Sequence, residues 1–531
     1  MARLTGFSKL LITLLILALV FFGGKYILDN TGFGKELKEQ AEVAQSDEGS
    51  GTTTTTSPSS ANKVDGDKTL KVQLVTWGGY APGLYFNEGG QANTRSRFYK
   101  DYGFKVDFKV ENDLINALNA WIAGEYDVLV QTADAYPLYT APDDINAIKP
   151  RAFMQVDWSR GGDAIIVKRG INKVNDLKGK TVAVAVPSPA QTLLISSLEA
   201  AGLKYGDVKV IKTADNLKAA ELFRSNDVDA AVVWSPDDVI ATRDVPGSNI
   251  LLTTREQSHI IGDIMFASQD FIDNNKDMIN GFYEGWMRGV AELKANAGNK
   301  EKAAKYLAEL NNLPVEDAMG MIDNVYLTGH GDNVNFFGLN PSHKGQEGGD
   351  LYGKMARKFV ETADAEKIAP TWRSVIYTGG IQAAQTTLTG SAYAPEEGKV
   401  FAPTTPSEVT APAFATKPIS INFNTGQFTL SQNAKTIIDY QFADVAKTFA
   451  NVKVRIEGNT DNVGSRQMNM ELSTKRAQAV ADYLRQQYSM DPNRFVIVGN
   501  GPDKPVKGCE TNATEDCKAK NRRTEFQLIT G

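Results

Sequence analysis

Reactive side chains are sparse in this sequence. Its three histidines, His259, His330 and His343, form no close cluster, and its only cysteines are Cys509 and Cys517. No set of residues has metal-ligand spacing, and there is no nucleophile elbow and no histidine paired with a nucleophile. The chain is therefore read as a binding protein and not an enzyme, with no metal and no cofactor. What remains are charged and aromatic residues at element boundaries. Asp461 sits in the turn-like run Thr460-Asp461-Asn462-Val463-Gly464, and Arg476 follows on a helical stretch. Trp77, Tyr80 and Trp234 offer aromatic surfaces, and Asp134, Asp163 and Asp237 offer carboxylates. Ser188, Gln191 and Thr192 mark the Pro-containing start of a helix, where free amides and a hydroxyl either cap the helix or hold an anion.

The hydrophobic pattern shows which elements must position these residues. At 531 residues, 42% apolar and 23% charged, the chain can bury sizeable cores in several domains, and its net charge of -6 leaves no footprint for nucleic acid. Leu10 to Gly24 carries no charge, and the apolar run reaches Leu28 if Lys25 snorkels, which is about the length that spans a bilayer. Arg3 and Lys9 precede it, placing the N-terminus in the cytoplasm and the bulk of the chain in the periplasm. Residues 1–28 are thus read as a single-pass inner-membrane anchor, over the alternative of a cleaved signal peptide, because no small-x-small site follows. The segment lacks Asp and Glu, so it is an anchor and not an ion carrier.

Residues 29–67, with their Thr/Ser tract, read as a flexible linker, and 386–416, rich in Pro, Thr and Ala, as an extended spacer. Between them, 68–385 alternates apolar strands (70–77, 127–131, 164–168, 181–186, 208–212, 229–234) with helical patterns (112–124, 189–202, 216–224). That alternation predicts an α/β layout around buried, largely parallel sheets. Residues 417–531 read as a small α+β unit with strands at 419–423, 452–456, 495–499 and 524–529 and helices at 433–449 and 472–487. Cys509 and Cys517 flank a short polar loop there and, in an exported domain, are expected to form a disulfide worth about 2–3 kcal/mol.

The C-terminal motifs occur together: Thr460 to Gly464, Asn469, Leu472-Ser473-Thr474-Lys475-Arg476-Ala477, the Gly499/Gly501 loop, and Asn521-Arg522-Arg523-Thr524-Glu525. In order and spacing they resemble the OmpA-like peptidoglycan-binding domain. The resemblance implies a site for the diaminopimelate of a stem peptide. Asp461 would take its ammonium and Arg476 its carboxylate, with Asn469 and Thr460 assisting. Of Arg522 and Arg523, one would contact the ligand and one brace the fold; Arg522 is the candidate contact. The competing reading of Asp461 and Arg476 is an ordinary surface ion pair.

Residues 68–385 resemble periplasmic solute-binding proteins of ABC uptake systems, of the nitrate, sulfonate and thiamine-precursor group. The resemblance rests on Trp77-Gly78-Gly79-Tyr80-Ala81-Pro82, Gly161-Gly162-Asp163-Ala164, Val174 to Lys180, and Val232-Val233-Trp234-Ser235-Pro236-Asp237. It implies a two-lobe clamp of periplasmic-binding-protein type II, with a second lobe at about 163–250 inserted into the first. The cleft candidates are Trp77, Tyr80, Asp134, Asp163, Ser188, Gln191, Thr192, Trp234 and Asp237. For each aromatic, core packing is the alternative. The resemblance favours a small anion such as phosphate, nitrate or a sulfonate, whereas the carboxylates suit a cation or amine.

The function expected from these parts is a membrane-anchored periplasmic protein that binds peptidoglycan and binds or senses a small solute. An inner-membrane transporter or a stator-like complex is the candidate partner. The alternative is a ligand-free scaffold subunit of a wall-anchored inner-membrane complex.

Overall fold

The computed structural model describes residues 68–421, 423 and 426–530. The expected anchor at 1–28 and linker at 29–67 lie outside them. Among the described residues no helix is long and apolar enough to cross a membrane.

Two five-stranded sheets organise the first unit. Strands β1 (Thr69–Leu74), β2 (Lys105–Val110), β3 (Val128–Thr132), β4 (Pro150–Gln155) and, much later, β11 (Asp263–Ser268) form a sheet of order β2-β1-β3-β11-β4. After the short strand β5 (Asp157–Ser159), which pairs with the later β12 (Val325–Leu327), strands β6 (Asp163–Val167), β7 (Thr181–Ala185), β8 (Lys209–Thr213), β9 (Ala230–Trp234) and β10 (Asn249–Thr253) form the second, of order β10-β6-β9-β7-β8. The chain thus crosses between lobes twice, at 156–162 and at 254–262. The crossovers are bonded to each other: the Ser159 amide donates to the Ile261 carbonyl at 2.9 Å, and Arg160 Nε to the Ser258 carbonyl at 2.9 Å.

The sheets are mixed, not largely parallel. β1 runs parallel to β2 and β3, and β7 to β8 and β9, while β4, β6, β10 and β11 pair antiparallel. An apolar run reports burial on both faces but not direction. β6 and β11 arrive from the other lobe without a helical crossover, so nothing forces them parallel. The expected helices form at α1 (Leu114–Ile122), α2 (Pro189–Ala200) and α3 (Asn216–Arg224). Each is capped by a side chain that accepts amides of its first turn: Asp113, Ser188 and Asp215.

Beyond β11, the long helix α4 (Lys276–Ala295) fills the first lobe's core, where Phe282 lies 5.3 Å from Phe98 and 5.6 Å from Trp286 between ring centres. Helix α5 (Gly348–Glu361) touches both lobes. Its Tyr352 hydroxyl lies 2.6 Å from that of Thr140 in the first, and Lys354 and Lys358 pair with Glu199 of α2 at 2.7 and 2.9 Å in the second.

The C-terminal sheet has the order β13-β16-β14-β15, from β13 (Ala413–Ile419), β14 (Lys453–Asn459), β15 (Phe495–Gly501) and β16 (Thr524–Ile529). Its first strand ends where one was expected to begin, so the domain starts at Ala413 and not at 417. The expected 433–449 helix is present as Gln432–Ile438, a π turn at Asp439–Ala443 and Asp444–Thr448, and its stripe Ile438, Phe442, Val445 and Phe449 is buried. Helix α6 (Arg466–Tyr488) packs across β14 and β15, where the missing side chain of Gly458 lets the sheet approach the Ser473 carbonyl. The disulfide Cys509–Cys517 is formed.

The 386–416 segment is not an extended spacer. It carries a short helix (Pro406–Thr410) and roofs the outer face of β14, so that all of that strand is buried. Arg455 donates to the carbonyls of Glu408, Val409 and Ala411 at 3.2, 3.1 and 2.8 Å, and Lys453 to the Ala402 carbonyl at 2.8 Å. Truncation by Arg455→Ala leaves these carbonyls without their charged donor and is expected to cost about 3 kcal/mol in a denaturant melt. An unchanged midpoint would mean the roof contributes nothing.

Candidate functional site

The cleft lies between the lobes, at the ends of β1, β3, β6 and β9. A cavity of about 70 Å³ is lined by Thr76, Trp77, Tyr80, Asn112, Gln131, Thr132, Asp163, Pro189, Trp234, Ile261 and Asp263, among others. Four of the nine expected residues are here: Trp77, Tyr80, Asp163 and Trp234. Trp77 reaches from the end of β1 to the first crossover. Its ring covers Gly162, where a Cβ would sit 2.0 Å from it, and its indole N–H donates to Asp157 at 3.0 Å. The Tyr80 hydroxyl, wholly buried, donates to Asp263 at 2.5 Å.

The other five do not line the cavity. Asp134 and Thr192 are 0% exposed and face each other from opposite lobes. No hydrogen bond reaches either Asp134 oxygen, although the Thr192 and Thr132 hydroxyls lie close enough to favour its charge. Gln191, buried, donates instead to Asp364 at 2.5 Å. Lys212 also pairs with Asp364, so the segment after α5 is latched onto the second lobe. Ser188 accepts from the Ala190 amide at 3.2 Å and donates to the Ala185 carbonyl at 2.9 Å, so it is a helix cap already satisfied within the chain. Asp237 is half-buried at the start of the helix Asp237–Asp244.

Two further carboxylates escaped the sequence reading. Asp157 and Asp263 sit on or next to the crossovers, where no strand-to-helix boundary marks them. Burial pushes Asp263 up to about 7, opposed by its bond from Tyr80. Burial, with the neighbouring Asp263 charge, raises Asp157 well above the carboxylate range. Burial likewise raises Asp134 to about 7 and Asp163 to about 6. The charged groups lining the cavity are carboxylates.

The second candidate site is in the C-terminal domain, beside the Asn459 end of β14. A cavity of about 60 Å³ is lined by Phe423, Asn459, Arg476, Arg522, Arg523 and Thr524, among others. Arg476, on α6, donates through Nε to the Gln427 carbonyl at 3.1 Å and lies over the Phe423 ring at 4.9 Å. Burial lowers its pKa, the nearby Asp461 opposing and Arg522 adding to the effect. Asp461 pairs with Arg522 at 2.6 Å and accepts the Val463 amide at 3.1 Å. Asn469 and Thr460 brace this loop: the Asn469 amide donates to the Val463 carbonyl at 3.0 Å, and the Thr460 hydroxyl to the Asp461 carbonyl at 2.8 Å. Arg523 pairs with Glu525 at 2.6 Å. Phe423 and Gln427 were not foreseen, because the loop bearing them has no motif of its own.

Residues 92–298 match the family model described as NMT1/THI5 like, and residues 422–522 match that of the OmpA family. The chain is 26% identical over 281 residues to the taurine-binding periplasmic protein of Escherichia coli, covering 51% of this chain and 80% of that one. It is 41% identical over 84 residues to the peptidoglycan-binding protein ArfA of Mycobacterium tuberculosis, which is 16% of this chain and only 24% of that one. Among solved structures, the periplasmic aliphatic sulphonate binding protein SsuA from Escherichia coli aligns with a TM-score of 0.46 at 19% identity, over 60% of this chain and 100% of that one. The chain therefore joins an ABC-type solute-binding domain of the NMT1/THI5-like kind to a C-terminal OmpA-family domain.

Proposed function

We propose that this is an envelope protein whose two lobes close over a small amine-bearing solute while its C-terminal domain grips peptidoglycan. The observation that carries the solute half is the cleft itself. Aromatic rings of Trp77, Tyr80 and Trp234 surround the carboxylates of Asp163 and Asp263 at the mouths of both sheets. Such a box suits an ammonium group held by charge and by ring faces. The Ser188 hydroxyl, one of the expected anion donors, is engaged within its own chain. The relative named for taurine, a solute carrying both an amine and a sulfonate, makes amino sulfonates the first class to test. For the wall half, Arg476 and Arg522 would take the carboxylate of a diaminopimelate and Asp461 its ammonium.

A thermal-shift screen of the purified chain against taurine, other amines, plain sulfonates, nitrate and phosphate tests the solute half. A ligand at 100 times its Kd adds about 2.7 kcal/mol. Amines and amino sulfonates are expected to shift the transition, and simple anions not. A flat response across the panel would leave the ligand-free scaffold as the better reading.

A further inference from the structure

The strap between the two domains meets the solute-binding unit where its lobes are joined. Arg160 lies on the first crossover and His259 on the second. Glu396, from the strap, takes both: Arg160 Nη1 and Nη2 donate to it at 3.0 and 2.8 Å, and His259 Nε2 lies 3.5 Å away. The Glu396 amide also donates to Asp332 at 2.6 Å, and Arg160 stacks over Tyr326 at 5.1 Å. Burial raises Glu396, but hydrogen bonds from His259 and Arg160 outweigh it and bring it down to about 2, so it stays charged.

The C-terminal domain adds its own bonds around the same hinge. The His259 amide donates to the Thr448 carbonyl at 3.2 Å. Lys447 pairs at 2.9 Å with Asp350 of α5. On the second lobe, Asn175 exchanges two 2.9 Å bonds with the Thr416 backbone on β13. One folded body is therefore bonded to a crossover, to the inserted lobe and to α5 at once.

We propose that the strap and the C-terminal domain brace the hinge of the solute-binding unit and set the angle between its lobes. Rotation about the crossovers would change the separation of Arg160, His259 and Asn175, and a body bonded to all three resists it. The brace rests on the lobes moving relative to each other, as the solute reading requires. None of the bonds named above reaches a residue lining the cleft.

The test needs no solute, so an empty ligand screen leaves it standing. Spin labels go on the full chain in detergent through Glu125→Cys on the first lobe and Lys218→Cys on the second, both exposed. The native cysteines are held in their disulfide. Distances are read by pulsed electron resonance, with cooperative thermal unfolding as the check on folding. The braced chain gives one narrow distribution. Glu396→Gln, Glu396→Ala and Asn175→Ala broaden it and shift its mean by at least about 2 Å. The neighbouring exposed Glu397→Gln leaves it unchanged. Folded Glu396→Ala/Asn175→Ala with the same distribution as the parent would overturn the brace, as would an equal response to Glu397→Gln.

Discussion

Arg476→Ala and Asp461→Ala are each expected to weaken retention of the chain on peptidoglycan sacculi by about 100-fold, or ~2.7 kcal/mol. The size follows from what the two groups are held for. Arg476 is fixed at its Nε by the Gln427 carbonyl and along its plane by Phe423, so its guanidinium borders the cavity without rotamer freedom left to lose. A carboxylate entering there meets Arg476 and Arg522 together. Arg522 is 42% exposed at its side chain and paired with Asp461, so it can turn to the incoming carboxylate and leave Asp461 to the ammonium. Arg476→Lys keeps the charge but loses the planar fork, and should recover only part of the loss. Arg523→Ala, by contrast, should lower stability and spare retention, because that side chain is spent on Glu525. Equal pelleting of the parent and a folded Arg476→Ala would remove the site assignment.

How much of this could be read without coordinates depended on whether the signal was local. The helix Asn216–Arg224 has its cap, its apolar stripe and its end in consecutive residues, and it forms as expected. The Asp461 and Arg476 motifs are equally local, and they meet around one cavity and its rim. The strap is the opposite case. Glu396, Phe401 and Glu408 are isolated contact residues in Pro/Thr-rich sequence, and their partners Arg160, Asp491 and Lys453 are remote in the chain. No periodicity records such bonds. The strand Ala413–Ile419 was hidden for a related reason. It lies at the edge of its sheet and contains Pro418, which an edge strand tolerates and a pattern search penalises. In the cleft, chain position placed Gln191 and Asp134 correctly at element ends. Their side-chain directions were set instead by Asp364 and by the facing lobe, which are tertiary facts.

The buried carboxylates give the second large effect. Asp134, Asp163 and Asp263 are raised to about 7, 6 and 7, chiefly by burial. Their folded values lie above the unfolded carboxylate range near 3.8, so the folded state binds more protons between those limits. Stability from these groups is therefore fully present below about pH 4 and is lost as pH rises through 6 to 7, the shift of one group from 3.8 to about 7 being worth about 4 kcal/mol. Asp263→Asn removes one charge-burial cost and should flatten that decline. An ammonium bound in the cleft reverses the preference by favouring the ionised carboxylates, so binding should release protons near neutral pH. Affinity for an amine would then rise with pH, by up to about tenfold per pH unit for each proton released. Calorimetry of a ligand found by the screen, in two buffers of different ionisation enthalpy, counts those protons. Release that shrinks in Asp163→Asn and Asp263→Asn identifies the carboxylates as the recognition groups. Proton uptake would mean that the solute presents an anion to them, because a negative charge beside Asp163 and Asp263 can only be accommodated by protonating them further.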